Sequence, residues 1–259
     1  MMAAPTRNYK LPARKVKPVS KNSTERGPSQ PVSSNQLFCH PKLGKLVGKH
    51  LANAHHRPPA PHTLRAFRHA SDSLAGRDKP LVFDSFCGTG MSTATLAERH
   101  EDCTVIGIDK SAHRLARHGP IQTDNYLLVQ ADCGDFWRLA LAAGWQLQQH
   151  YLLYPNPWPK SGQLKRRVHG CADLSALLAL GGQVELRSNW QIYAEEFGVA
   201  LALAGYHPHI DQLTPQNPLT LFEQKYAQSG HKLWRCGAKL VHNSTSATRN
   251  LEGSEKWTS

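Results

Sequence analysis

No apolar run in this 259-residue chain is long enough to cross a bilayer, and the N-terminus lacks the unbroken apolar core of a secretion signal. A cytoplasmic protein without a membrane partner is therefore expected. CxxC pairs are also missing. Cys39, Cys87, Cys103, Cys133, Cys171 and Cys236 are scattered, which excludes a zinc ribbon and a disulfide framework and leaves reduced thiols. His50, His55, His56 and His62 crowd one region without ligand spacing on a helix face, so no metal site is expected. Acidic side chains are scarce: 19 Asp and Glu stand against 31 Lys and Arg, a formal net charge of +12. That excess favours a polyanionic partner, nucleic acid first. The length suits one α/β domain with tails rather than two such domains.

Residues 1–36 are rich in Pro, Ser, Asn and Lys without apolar periodicity, and read as a disordered basic tail. Arg7, Lys10, Arg14, Lys15, Lys17, Lys21 and Arg26 are opposed there only by Glu25. The tail is either an arm drawn to phosphate or a solubilising segment. Residues 37–78 read as a helical extension packed beside the main sheet. Leu43, Leu46, Val47 and Leu51 recur at helical spacing opposite Lys42, Lys45 and Lys49, and a second helix is predicted over 61–74 with Leu64, Phe67, Ala70 and Leu74 inward. Strand and helix alternate through 79–240, the expected main domain, and 241–259 read as a loose tail.

A buried strand at 80–86 runs into DSFCGTG, Asp84 to Gly90, followed by a helix over 91–100. Gly88 and Gly90 let a ligand approach the backbone, and the helix N-terminus offers free N–H groups. A second strand ends at Asp109, where a carboxylate in a nucleotide-binding βαβ unit accepts from ribose hydroxyls. Strand, glycines, helix, strand and terminal acid in that order point to a nucleoside cofactor. Phe86, in the place of a first fingerprint glycine, argues against NAD. Ser111 is expected to cap a helix through 118, and a third strand at 126–130 leads to Asp132. Asp135 reads as a cap or first-turn residue of the next helix, which Gly144 stops.

HYLLYPNPWPKSGQLKRR, His150 to Arg167, organises the rest. The apolar run 151–154 is of strand length, and Pro155, Pro157 and Pro159 then forbid both helix and further sheet pairing. Asn156 and Trp158 are held between them at the end of a strand, where open α/β sheets bind ligands. An amide and an indole there suit a flat heterocycle, and Lys160, Lys165, Arg166 and Arg167 behind them suit phosphate. A Pro-rich surface turn with a solvated charge run is the alternative reading.

The glycine loop resembles the first motif of S-adenosylmethionine-dependent methyltransferases. YPNPWPKSGQLKRR resembles the FPDPWxKxxHxKRR signature of the bacterial tRNA (guanine-N7)-methyltransferases. GGQVELRSNWQIYAEEF is similar to that family's GGxxxxATDWxxYAExM, and PLTLFEQKYAQSGHKLW to its PxTxFExxxxxxGHxxW, in the same order. The resemblance implies a Rossmann-like class I methyltransferase fold: a doubly wound seven-stranded sheet closed by an antiparallel C-terminal hairpin. It implies S-adenosyl-L-methionine held by Asp84, Cys87, Gly88, Gly90, Asp109 and Asp132, the last facing adenine, and RNA, specifically tRNA, as partner. It places Lys160, Asn189, Thr220 and Glu223 on the substrate, beside Trp158, Lys165, Arg166 and Arg167 from the reading of the proline turn and its basic run. No motif fixes an oligomeric state.

The chain departs from the family twice. Asn156 replaces the aspartate regarded as catalytic, and Asn189 replaces the substrate-contacting aspartate before Trp190. Guanine N7 carries a free lone pair, so methylation there needs no general base, and an amide can still orient the base while stabilising its developing positive charge less. Asn189 reads equally as the N-cap of a helix over 190–204. Three readings stay open: a guanine-N7 RNA methyltransferase, a methyltransferase for an exocyclic base amine, whose NPPW or NPPY turn YPNPWP resembles, and a degenerate RNA-binding paralogue.

Overall fold

Five buried apolar runs, each followed by a capped or amphipathic segment, give strands that the chain re-enters from the same end. The structure, a computed structural model, describes residues 28–53, 55–76, 78–119 and 123–240. Its elements are α1 (Leu43–Ala52), α2 (Pro61–Leu74), β1 (Leu81–Ser85), α3 (Met91–Arg99), β2 (Thr104–Asp109), α4 (Ala112–Leu115) and β3 (Tyr126–Gln130). There follow α5 (Cys133–Ala142), β4 (Leu147–Leu153), α6 (Leu174–Ala179), β5 (Gly182–Ser188), α7 (Gln191–Leu203), β6 (His209–Leu213), α8 (Leu221–Gln228) and β7 (Leu233–Leu240). One seven-stranded sheet results, in the order β3-β2-β1-β4-β5-β7-β6. β1 to β5 pair in parallel, while β7 is antiparallel to both β5 and β6. This is the expected seven-stranded sheet with its antiparallel C-terminal strands.

The period-2 alternation of strand side chains sorts the core into two layers. Phe83, Ile106, Leu152, Val184 and Leu186 join the larger cluster with Phe136, Trp137, Tyr193 and Phe197. Val82, Val105 and Leu153 face the opposite way, against Leu96, Ala97 and Leu219. Leu43 and Val47 of α1 and Phe67 and Ala70 of α2 belong to the larger cluster, so the N-terminal helices share the core of the sheet. α2 begins with Pro at its first position, where the missing N–H costs nothing.

Three boundaries differ from expectation for physical reasons. β4 starts earlier than the apolar run 151–154 because Gln149 and His150 also pair with β5. His150 is admitted to the core by its hydrogen-bonding contact with Ser85 Oγ at 2.9 Å, and burial pushes its pKa down to about 3. The α-helix behind Ser111 stops at Leu115; turns through His118 follow, because His118 reaches Thr89 O and Tyr126 Oη instead. Residues 28–36, read with the disordered tail, lie against the body. Ser29 N donates to Ser229 Oγ at 2.9 Å, Ser34 Oγ to Pro159 O at 2.8 Å, and Gln36 Nε2 to Glu196 Oε1 at 2.7 Å, while Val32 packs on the core. From Val32 to Gln36 every second residue is partly covered, as in an extended strand, so no helical periodicity marks the segment. Residues 1–27 and 241–259, where the remaining tail expectations fall, lie outside the described residues.

Candidate active site

The strand order reverses between β1 and β4: from β1 the chain builds toward β3, from β4 toward β5. Loops leaving the carboxyl ends of these two strands diverge and open the crevice in which such sheets bind ligands. Three non-glycine residues with positive φ stand at these ends: Phe86 (66°), Tyr154 (52°) and Trp158 (46°). Left-handed backbone at bulky residues costs about 1–3 kcal/mol each and persists only where surrounding packing enforces it. Phe86 is held edge-on against Trp137, with centroids 6.0 Å apart.

After β1 the chain turns through Gly88 (φ 62°) and Gly90 (φ 77°) into α3. A side chain at Gly90 would meet Leu128 at 2.7 Å, whereas nothing lies within 4 Å of one at Gly88. Gly90 is glycine for packing, Gly88 for open space beside the backbone. Asp84 is fully buried; its Oδ2 accepts from Ser92 Oγ at 2.6 Å and Thr93 Oγ1 at 2.7 Å. Its Oδ1 has no partner among the described residues. Burial pushes the Asp84 pKa up to about 6, against the pull of the two hydroxyls.

Asp109 ends β2 and is almost wholly buried. Oδ1 accepts from Ser111 N at 2.8 Å and Arg114 Nη2 at 3.0 Å, and Oδ2 from Gly88 N at 3.0 Å. This ties the glycine loop to the second strand and leaves one acceptor position, on Oδ2. Asp132 is the N-cap of α5, accepting from Asp135 N at 3.2 Å. Asp135 sits in the first turn, as expected, and holds Arg138 and Ala60 N. Burial and the neighbouring Asp84 raise the Cys87 thiol far above its usual range, so it is a wall of the loop and not a nucleophile.

Across the crevice, the proline turn presents Asn156 exposed, with Trp158 half-buried. Asn156 Oδ1 accepts from Trp158 N at 3.3 Å, a local side-chain turn that fixes the amide, and the guanidinium of Arg166 lies 4.7 Å over the Trp158 ring. Lys160, Lys165 and Arg166 are exposed around a 3-10 helix, Ser161–Arg166.

Four expectations need correction. Arg167 does not face phosphate: it is 0 % exposed, bonded to Glu196 Oε2 at 2.5 Å, Gln36 Oε1 at 3.0 Å and Trp158 O at 3.2 Å, and lies 4.8 Å over Trp190. It anchors the proline turn from behind. Glu223 is likewise buried, receiving Arg187 Nη1 and Leu219 N, both at 2.7 Å, while Thr220 caps α8 by accepting from Glu223 N at 2.9 Å. Both hold α8 in place. Asn189 is not an N-cap, since Trp190 occupies that position; its Nδ2 donates to His231 Nδ1 at 3.3 Å. Asp109 is already occupied by three protein donors instead of standing free for two hydroxyls.

A family model described as "Putative methyltransferase" matches residues 78–236. The chain belongs to this methyltransferase family. The methyltransferase is 29% identical over 178 residues to a tRNA (guanine-N(7)-)-methyltransferase of Pseudoalteromonas atlantica, covering 63% of this chain and 73% of that protein. To the protein of the same name from Acidovorax sp. it is 31% identical over 174 residues, 61% and 67% of the two chains. Among solved structures, the 16S rRNA methyltransferase KamB aligns over 67% of this chain and 94% of its own, at 17% identity and TM-score 0.49.

Sequence reasoning missed two residues that brace the elements around the site. His231 links Asn189 to Ser29 O, 2.8 Å from its Nε2, and the Gly230-His231 pair of the third motif was the available signal. Gln36 bridges Arg167 and Glu196; an isolated amide in a polar segment gives no signal.

Proposed function

We propose that this methyltransferase transfers the methyl group of S-adenosylmethionine to N7 of a guanine in tRNA. One observation carries the reading: a glycine loop and an exposed amide on a proline turn meet at the carboxyl ends of β1 and β4, in a chain whose relatives bear that name. S-adenosylmethionine fits the residues present. The unpartnered Oδ1 of Asp84 is an acceptor for its cationic amino group, the remaining position on Asp109 Oδ2 is one for a ribose hydroxyl, and Gly88 leaves the backbone open to it. Once bound, it supplies a methyl group on a sulfonium, which the N7 lone pair can attack without a general base.

The protein's task is alignment, selection and charge stabilisation. Asn156 can accept from guanine N1–H through Oδ1 and donate to O6 through Nδ2, which makes no hydrogen bond among the described residues. Being neutral, it stabilises the cationic product less than a carboxylate, a difference of about 3 kcal/mol, some hundredfold in rate. Lys160, Lys165 and Arg166 hold phosphate, whereas Arg167 positions Trp158 through its carbonyl.

Mass spectrometry of nucleosides from tRNA incubated with protein and S-adenosylmethionine tests this. 7-Methylguanosine is the expected product, and Asn156→Asp, nearly isosteric, should form it at an equal or higher rate. A methylated exocyclic amine, or no product from a protein that still binds the donor, would overturn the reading.

A further inference from the structure

Beside the proline turn, α8 and the loop after it hold a column of aromatic rings that no step above uses. His231 stacks on Tyr226 with centroids 5.2 Å apart and planes 12° from parallel. Tyr226 stacks on Phe222 at 6.0 Å and 25°. Phe222 and Tyr226 are four residues apart and so share one face of the helix. The foot of the column is fixed, because Asn189 and Ser29 O hold the two ring nitrogens of His231. Tyr154, two residues before Asn156, leans on Tyr226 at 5.6 Å and joins the column to the catalytic turn. The other end is open: Phe222 is 51 % exposed, beside the equally exposed Leu221.

The occupant of that open face can be argued from its chemistry. Two apolar side chains fall far short of the roughly 800 Å² per partner that a protein interface needs. Around them stand Gln224, Lys225, Gln228 and Lys232, all exposed and polar or basic, on a chain of net charge +12. A flat apolar plate rimmed by amides and ammonium groups suits a heterocycle carried on phosphates. Single-stranded and looped RNA is recognised by splaying bases onto such rings, whatever their sequence.

We propose that Phe222 is a stacking platform for an unstacked nucleobase of the RNA substrate, next to the nucleotide presented at Asn156. This rests on the guanine-N7 tRNA reading and extends it: the column aligns the target by holding its neighbour. The base continues the stack of His231, Tyr226 and Phe222, and the α8 motif residues Thr220 and Glu223 serve to set the helix, and with it the plate, at the rim of the site.

Binding of tRNA by the wild type, Phe222→Ala, Phe222→Leu and Phe222→Trp, followed by fluorescence anisotropy over a range of salt concentrations, tests the proposal. Ala and Leu should each lower affinity roughly tenfold, Trp should retain it, and the slope of log K against log salt should be unchanged in all, because no phosphate contact is lost. Cofactor affinity and thermal unfolding of the Ala and Leu variants should match the wild type. Leu keeps the apolar bulk, so wild-type affinity in Phe222→Leu overturns the stacking platform. A flattened salt slope in the same variant also overturns it. A wild type that binds tRNA but forms no 7-methylguanosine defeats the proposed function and leaves the stacking result standing; a wild type that binds no tRNA overturns both.

Discussion

Asp84 carries a charge that the fold alone does not satisfy. Burial raises its pKa from 3.8 to about 6, and one of its oxygens is unpartnered. A carboxyl raised on folding favours the native state below its unfolded value, and that contribution is lost as pH rises through about 6. The ionised form present at neutral pH is therefore a stored penalty that a cationic ligand group relieves. Affinity for S-adenosylmethionine should climb between about pH 5 and 7 and level off above. Calorimetry across that range, repeated on Asp84→Asn, separates this carboxyl from the histidines: binding by the variant should be weaker and lose the bend. If the bend survives in Asp84→Asn, Asp84 is not the group responsible. At this scale the sequence was legible where spacing relative to a glycine loop defines a position, as for Asp84 within β1 and Gly88 in the turn that follows it. Burial, however, is invisible in residue type. Arg166 and Arg167 are adjacent arginines, and only the fold directs one to solvent and the other into a closed network.

Among elements, the segment from Ser29 to His40 depends on that network. Glu196 on α7 receives Arg167 Nη1 at 2.5 Å, His169 Nε2 at 2.8 Å, Gln36 Nε2 at 2.7 Å and His40 N at 2.8 Å, joining the N-terminal segment, the basic loop and the helix in one buried cluster. Burial opposes the charge on Glu196, but its hydrogen bonds to His169, Arg167 and the His40 amide outweigh burial and bring its pKa down to about 2. A depressed acid contributes stability that is present above its unfolded value of 4.5 and disappears as pH falls toward about 2. Glu196→Ala leaves the Arg167 charge buried without its partner and should cost about 3–5 kcal/mol, measured by urea unfolding. It should also remove the part of acid unfolding that falls in that window. A loss below about 1 kcal/mol would mean that water enters and replaces the carboxylate. The strands β1 and β3 and the helices α2, α3 and α7 were readable from apolar patterns to within a residue or two, whereas β4 begins four residues before its apolar run. The N-terminal segment was not, because its contacts are polar, alternate in an extended chain and reach residues more than a hundred positions away.

For the whole molecule, the doubly wound topology brings the glycine loop and the proline turn to the carboxyl ends of adjacent strands, and a net charge of +12 favours a polyanion as the partner of the chain. The motif YPNPWPKSGQLKRR signalled a basic run but not which of its members is free. Lys160, Lys165 and Arg166 are exposed, while Arg167 is taken up by Glu196. Replacing the three exposed residues with Gln removes up to three phosphate contacts, each of which releases about one counterion on binding. The slope of log K against log salt for tRNA should flatten by about two to three units, with the thermal transition unmoved because none of the three is buried. Arg167→Gln should behave in the opposite manner, lowering the transition while leaving the slope of the remaining folded protein intact, since its charge is already neutralised within the core. Should the triple substitution leave the slope where it was, the loop is a solvated face and the phosphate attraction lies elsewhere on the chain.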